Sequence, residues 1–214
     1  MRLASLLPTP LLALLTFAMS ACNEPYANAP KPDSAPTVIP ANAETLVLGG
    51  GCFWCVEAAY EMVPGVLDAV SGYTGGKRPN PTYEQVSAGA SGHAEVIKLT
   101  YDPAKVTRVE LLDFFWEIHD PTTLNRQGAD VGTQYRSVIY YANDSEKALV
   151  LASRDKANPA WNGKIVTEIA LLPEFYVAED YHQDYYSKNP SAGYCRVVIK
   201  PKLDKLTKHP LVKP

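Results

Sequence analysis

The sequence predicts an α+β fold, a two-layer sandwich in which helices flank a mixed or antiparallel central sheet. From residue 44 onward, short apolar runs with strand-like alternation take turns with segments of helical period. None of the strand candidates is the long, continuous apolar run that a parallel sheet covered on both faces would need. These two observations favour the sandwich over a doubly wound fold.

Residues 1–21 read as a signal peptide of the lipoprotein type. Arg2 precedes a largely apolar run, and Ser20-Ala21-Cys22 resembles the end of a bacterial lipobox, after which Cys22 is the lipidated first residue. Residues 22–43, rich in Pro, Ala and Asn without a hydrophobic period, predict a tether. We therefore expect a bacterial cell-envelope protein, lipid-anchored and facing the periplasm or cell exterior. An ordinary cleaved signal peptide is the alternative.

Residues 44–214 form the predicted folded domain, and its elements follow in order. The first strand ends in three glycines, the second ends at Gly75-Gly76, and Ser145 is a plausible cap for the last helix. Long connections at 72–92, 120–135 and 173–195 are expected to be functional. Strands are predicted at Thr45–Leu48, Val66–Tyr73, His93–Tyr101, Arg136–Tyr141 and Ile165–Leu172, and helices at Cys52–Met62, Val109–Ile118 and Ser145–Ala157.

The composition excludes several classes of function. With 214 residues, 46% of them hydrophobic, the chain buries a core without needing disulfides or metal to fold. A formal net charge of -3 and four scattered histidines give no basic field for nucleic acid. Nucleic-acid binding is therefore disfavoured.

The cysteines indicate a reactive thiol. Without Cys22 three remain, Cys52, Cys55 and Cys195, and three cannot all pair. Cys52 lies at a strand-to-helix turn, where the helix N-terminus favours the thiolate. Cys55, about one turn further along, is better suited to receive a disulfide than to start chemistry.

Other interpretations of these thiols stay open at this point. Zinc would need Cys52, Cys55, Cys195 and a histidine, but the spacing supplies one CxxC knuckle without its mate. A thioredoxin-like redox pair fits a CxxC at a helix start, yet gives Cys195 no role. Phe53 and Trp54, ordinary core residues in the simplest view, could instead form an apolar pocket that holds a methyl or thioether group against the sulfur.

The chain resembles the class A peptide methionine sulfoxide reductases. The resemblance covers residues 45 to about 195, in the order "GGGCFWCVEAAY", "GVLDAVSGYTGG", "PTYEQVSAGASGHAEVI", "DPTTLNRQGADVGTQYRS", "FYVAEDYHQDYY" and "NPSAGYC". It implies an oxidoreductase that reduces the S epimer of methionine sulfoxide, free or in proteins, and the α+β fold of that family. It implies no metal or organic cofactor, a thioredoxin-like reductant as partner, and a monomer.

The same resemblance implies roles for individual residues. A thiolate that attacks the sulfoxide sulfur needs a proton donor for the oxygen, and a carboxyl group donates only if an apolar setting raises its pKa. The implied roles are Cys52 as nucleophile, Glu95 as acid with Tyr83 and Tyr135 as helpers, Phe53 and Trp54 as a cradle for the methyl group, Asp130 and Tyr194 as substrate-binding residues, and Cys55 and Cys195 as resolving thiols.

The chain departs from the family pattern at its thiols. Many members have glycine where this chain has Cys55, and Ser87 stands where a cysteine is often found. Only Cys195 remains near the C-terminus, so a relay through two distal cysteines is excluded. We expect Cys55, Cys195, or both in turn, to form a disulfide with the oxidised nucleophile.

Overall fold

A computed structural model describes residues 39–212 of the 214-residue chain. The predicted signal peptide, Cys22 and the tether as far as residue 38 lie outside the described residues. No helix within residues 39–212 is both long and apolar enough to cross a membrane.

Short strands and helices alternate along the described chain. The strands are β1 (Glu44–Gly50), β2 (Val66–Thr74), β3 (Ala94–Tyr101), β4 (Arg126–Gln127), β5 (Asp130–Val131), β6 (Ser137–Tyr141), β7 (Glu168–Leu171) and β8 (Tyr176–Val177). The helices are α1 (Phe53–Glu61), α2 (Tyr83–Ser87), α3 (Arg108–Ile118), α4 (Asp144–Ala157), α5 (Tyr185–Lys188) and α6 (Lys200–Leu206), with a π-helical turn at Cys195–Ile199 just before α6.

Within the described residues, six strands form a mixed sheet in the order β7-β6-β1-β3-β2-β8. The β6–β7 pair is parallel and the other pairs are antiparallel. Strands β4 and β5 form a separate antiparallel pair. The mixed sheet confirms the predicted fold class.

The two faces of the sheet differ in what covers them. In β1, Leu46 and Leu48 belong to the main core together with α1, α3 and α4, whereas Val47 belongs to a smaller cluster on the opposite face. This split follows from the period of two in strand side chains. The helices therefore cover one face, and the nucleophile candidate lies where β1 runs into that helical layer.

Several local predictions need correction. Asn143, and not Ser145, caps α4, because its Oδ1 accepts the Glu146 backbone N–H at 3.0 Å. Strand β7 begins later than predicted, because the Val166 N–H donates to the Pro121 carbonyl and not to the strand ladder. The long connections contain α2, β4, β5, β8 and α5, and the prediction omitted α6.

Candidate active site

The turn between β1 and α1 presents Cys52 at the N-terminus of the helix. Gly51 has a φ of +100°, a backbone conformation that residues with a side chain rarely adopt. A Cβ built there would lie 2.6 Å from Gln127 Cγ. Cys52 follows as the N-cap residue of α1, and its carbonyl accepts the Cys55 N–H at 3.0 Å. Glycine is required here because the chain turns sharply against the side chain of Gln127 on β4.

Glu95, on β3, meets this helix end. The residue is 1% exposed, and its Oε2 accepts the Phe53 backbone N–H at 3.0 Å. Burial raises the pKa of Glu95 to about 8, although the Phe53 N–H favours the ionised form. Glu95 is therefore a neutral acid at pH 7, and it is hydrogen-bonded to the backbone of the residue that follows Cys52.

The two thiols of the CxxC segment share a hydrogen bond, and the described cysteines are all reduced. Burial raises the pKa of Cys52, whereas the hydrogen bond from Cys52 lowers the pKa of Cys55 to about 7, with help from the Lys202 ammonium. The expectation that the helix end favours the anion on Cys52 is wrong for this reduced state. Glu95 already occupies the Phe53 N–H, and burial outweighs the rest.

Cys195 differs from this pair in its burial and in its position in the fold. It is fully buried, at the start of the π-helical turn, and burial raises its pKa. It belongs to the same core cluster as Cys52 and Cys55, and a negative charge on Cys55 raises its pKa further. All three described thiols therefore belong to one region, and Cys55 is the one that ionises most readily.

Rings pack against Phe53 and Trp54 of the CxxC segment, and we call this cluster, with His182 and Tyr185, the aromatic pocket. The Trp54 indole N–H donates to His182 Nδ1 at 3.1 Å, and the Tyr185 ring stacks on Trp54 with centroids 3.6 Å apart and planes at 8°. The Phe53 ring lies 4.9 Å from the His182 ring. Burial lowers the pKa of His182 to about 4, so the imidazole is neutral and the pocket carries no charge from it.

Tyr83 and Tyr135, the two predicted helpers, lie near the acid. Burial raises the pKa of each, and negative charges on Glu95 and Cys52 raise it further. Glu179 positions one of them, because its Oε1 accepts the Tyr83 backbone N–H at 2.8 Å. Both phenols stay protonated at pH 7 and can donate hydrogen bonds.

Tyr194 joins the substrate side of the site to the thiols. Its hydroxyl donates to Asp130 Oδ2 at 2.7 Å and lies 3.9 Å from Cys55 Sγ. Its ring meets Trp54 edge-on, with centroids 5.9 Å apart. The predicted binding residues Asp130 and Tyr194 therefore belong to the same cluster as the predicted nucleophile.

Sequence reasoning did not assign roles to several residues of this cluster. His182 and Tyr185 lie in the quoted "FYVAEDYHQDYY" stretch, whose density of aromatic residues was the available signal. Lys202, 3.7 Å from Cys55 Sγ, carried no such signal. Among residues 39–212, no group of three or more His, Cys, Asp and Glu side chains could hold a metal ion.

Comparisons with known proteins agree on one family. The family described as "Peptide methionine sulfoxide reductase" matches residues 44–213. A "Peptide methionine sulfoxide reductase MsrA" of Pseudarthrobacter chlorophenolicus is 52% identical over 166 residues, which cover 78% of this chain and 95% of that protein.

Solved structures give the same relationship. Mxr1 from Saccharomyces cerevisiae in reduced form matches with a TM-score of 0.70 and 38% identity, covering 73% of this chain and 91% of that chain. The same yeast protein in complex with Trx2 matches with a TM-score of 0.50 and 28% identity, covering 68% of this chain and 86% of that chain.

Proposed function

The chain belongs to the peptide methionine sulfoxide reductase family, and from that premise we propose how its residues reduce methionine S-sulfoxide to methionine. It is an oxidoreductase, a peptide-methionine (S)-S-oxide reductase. One observation carries the proposed mechanism: a buried, neutral carboxyl group, Glu95, is hydrogen-bonded to the residue that follows Cys52.

Cys52 is the nucleophile and Glu95 the acid. Cys52 attacks the sulfoxide sulfur as its proton passes through the hydrogen-bonded Cys55 thiolate to solvent, which leaves Cys55 ionised again. Glu95 protonates the sulfoxide oxygen as charge builds there, with Tyr83 and Tyr135 as further donors. The hydroxyl group then passes from the substrate sulfur to Cys52, while the bond just formed between the two sulfurs breaks and leaves its electron pair on the substrate sulfur. Methionine leaves with its sulfur reduced, and Cys52 is oxidised to a sulfenic acid.

The substrate's methyl group lies against Phe53 and Trp54, and Asp130 and Tyr194 contact the rest of the methionine side chain. An uncharged aromatic surface suits a methyl sulfoxide because it buries the methyl group without desolvating an ion. The stacked Tyr185 and the hydrogen bond to His182 support this role, since both hold the Trp54 ring in one orientation.

A second thiol then resolves the sulfenic acid. Cys55 or Cys195 forms a disulfide with Cys52 and water leaves, after which an external dithiol restores the enzyme. The yeast relative whose structure contains Trx2 supports a thioredoxin-like protein as this reductant. The chain acts on methionine sulfoxide both free and within oxidised proteins.

We further propose that the enzyme works in the bacterial cell envelope as a monomer. Support comes from the sequence, in which a lipobox-like end at Cys22 precedes a Pro- and Ala-rich tether of residues 22–43. An exported location also suits a repair enzyme that cycles through disulfides.

Separated sulfoxide epimers test the mechanism. Wild-type enzyme with dithiothreitol should reduce the S epimer and leave the R epimer, and Cys52→Ser should abolish turnover because no other thiol meets the sulfoxide. Cys55→Ser and Cys195→Ser should each still release one methionine per enzyme, while at least one of them slows recycling by thioredoxin. Retained turnover in Cys52→Ser would contradict the mechanism, and unchanged recycling in both other variants would contradict the resolving roles.

A further inference from the structure

A lysine from the C-terminal helix reaches the CxxC segment. Lys202, on α6, directs its ammonium Nζ to Cys55 Sγ at 3.7 Å, and its side chain is half-buried. Cys55 itself is 8% exposed. A partly desolvated ammonium favours an adjacent thiolate over the thiol.

The other groups facing Cys55 come from several elements. Cys52 offers a hydrogen bond to its sulfur, and the Tyr194 hydroxyl lies 3.9 Å away with its proton directed to Asp130. Asp130, Glu95 and Cys195 interact electrostatically with a charge on this sulfur. Asp130 opposes a negative charge on Cys55, and Glu95 opposes it only when ionised. Within this described cluster Lys202 provides the positive charge, which adds to the larger effect of the Cys52 hydrogen bond in favouring the Cys55 thiolate.

We propose that Lys202 is a positioning residue that holds Cys55 as the thiolate which closes the disulfide on oxidised Cys52, ahead of Cys195. This inference rests on the proposed function, because it needs a sulfenic acid at Cys52. The Cys55 sulfur attacks the Cys52 sulfur, the sulfur–oxygen bond breaks, and hydroxide leaves as water after taking a proton from solvent. Cys52 is reduced by the electron pair that Cys55 supplies, and both end as disulfide sulfurs.

Cys195 is less suited to this first step. It is 0% exposed, and no ammonium lies against its sulfur among the contacts of the described residues. Attack by Cys195 also needs a thiolate, which burial disfavours. Cys195 is left to act later, on the Cys52–Cys55 disulfide.

The test follows disulfide closure in a single turnover. Reduced enzyme is mixed with methionine S-sulfoxide at pH 7, samples are quenched with an alkylating agent at intervals, and the disulfide is mapped by mass spectrometry. Methionine release is recorded in the same samples. The variants are Lys202→Met, Lys202→Arg and Lys205→Met, the last removing an exposed lysine from the same helix.

In wild type we expect the first disulfide to join Cys52 and Cys55. Lys202→Met should close it about fivefold more slowly at pH 7, the loss in thiolate expected if the pKa of Cys55 rises by one unit, and should approach the wild-type rate near pH 9. Lys202→Arg keeps the charge and should restore most of the rate, and Lys205→Met should match wild type.

Two results would overturn the role of Lys202. One is closure at the wild-type rate in Lys202→Met across the pH range, and the other is a first disulfide that joins Cys52 to Cys195. Failure of the proposed function has a different signature, since wild type would then release no methionine.

Discussion

Glu95 is a carboxyl group whose burial keeps it protonated where an exposed glutamate is ionised. Its pKa is raised to about 8, so the acid form predominates at pH 7 and becomes the minority form above pH 8. Turnover with dithiothreitol should therefore fall as the pH rises through about 8. Glu95→Gln cannot transfer a proton and should lower kcat by about 10²- to 10⁴-fold without that alkaline decline. Measurement of kcat from pH 6 to 9.5 for both proteins checks this, and an unchanged alkaline limb in the variant would exclude Glu95 as the acid.

Glu57 is a second buried carboxyl, and the proposed mechanism does not use it. It accepts a hydrogen bond from the Ser71 hydroxyl at 2.9 Å, and burial and then the nearby Glu61 raise its pKa to about 8. Its other oxygen accepts the Tyr185 N–H at 3.4 Å, which links it to the ring that stacks on Trp54. Glu57 thus holds Tyr185 in the aromatic pocket, and because Glu57 titrates, its contribution to the free energy of unfolding depends on pH.

The shift of Glu57 predicts how stability varies with pH. Its pKa is higher in the folded than in the unfolded chain, where the ordinary value is 4.5, so the folded state binds more protons between those values. The free energy of unfolding should therefore fall as the pH rises from about 4.5 to 8. Glu57→Gln removes its share of this decline, up to about 4 kcal/mol at pH 7.5. Urea unfolding at pH 5 and pH 7.5 measures it, and equal declines in both proteins would refute the assignment.

Residue roles that share a motif could be predicted, and those that depend on distant contacts could not. Cys52, Phe53 and Trp54 are adjacent in sequence, so one glycine-rich turn indicates them together. Lys202 and Cys55 are 147 residues apart, and no local pattern relates them. The proton distribution between Cys52 and Cys55 was also beyond prediction, because it depends on burial and on which amide Glu95 occupies.

At the scale of elements, the hydrophobic period of the sequence predicted the strands and helices that are stabilised by burying an apolar face. Strands β1, β2, β3 and β6 and helices α1, α3 and α4 lie within a few residues of their predicted positions. The long connections are different, because side-chain amides bridge distant backbone groups there. Gln183 bonds both the N–H and the carbonyl of Ser71, each at 3.0 Å, and Gln127 does the same to Asp120 at 3.1 Å. Such bridges leave no periodic trace in the sequence.

The close approach of β1 and β3 next to the site gives a prediction for Gly49. A Cβ at Gly49 would lie 2.5 Å from the Glu95 carbonyl oxygen, a backbone atom that cannot yield without moving β3. Gly49→Ala should therefore lower the free energy of unfolding by about 1–3 kcal/mol and also lower kcat, because Glu95 shifts with its strand. Gly193→Ala is the control, since a Cβ there meets nothing within 4 Å and stability should stay within about 0.5 kcal/mol. Chemical denaturation and steady-state kinetics together check both changes.

For the molecule as a whole, the sheet order brings the site residues together from distant segments. Strand β1 lies at the centre of the sheet and delivers Cys52, its neighbour β3 delivers Glu95, and the chain after β8 returns His182 and Tyr185 to the same end. The catalytic groups therefore rest on the rigid centre, while the pocket wall comes from the C-terminal connections. This division lets substrate contacts vary without disturbing the pairing of acid and thiol.

The proposed lipid anchor gives the last prediction. Membrane attachment should depend on Cys22 alone, and activity should not depend on it. The catalytic groups lie between residues 52 and 202, far along the chain from Cys22. Wild-type protein expressed in bacteria should fractionate with membranes and resist a high-salt wash, since acyl chains and not surface charges hold it. Cys22→Ala should appear in the soluble fraction with unchanged kcat on free methionine sulfoxide, whereas Cys52→Ser should stay with the membranes and be inactive. A wild type that is already soluble would refute the anchor and leave the enzyme mechanism intact.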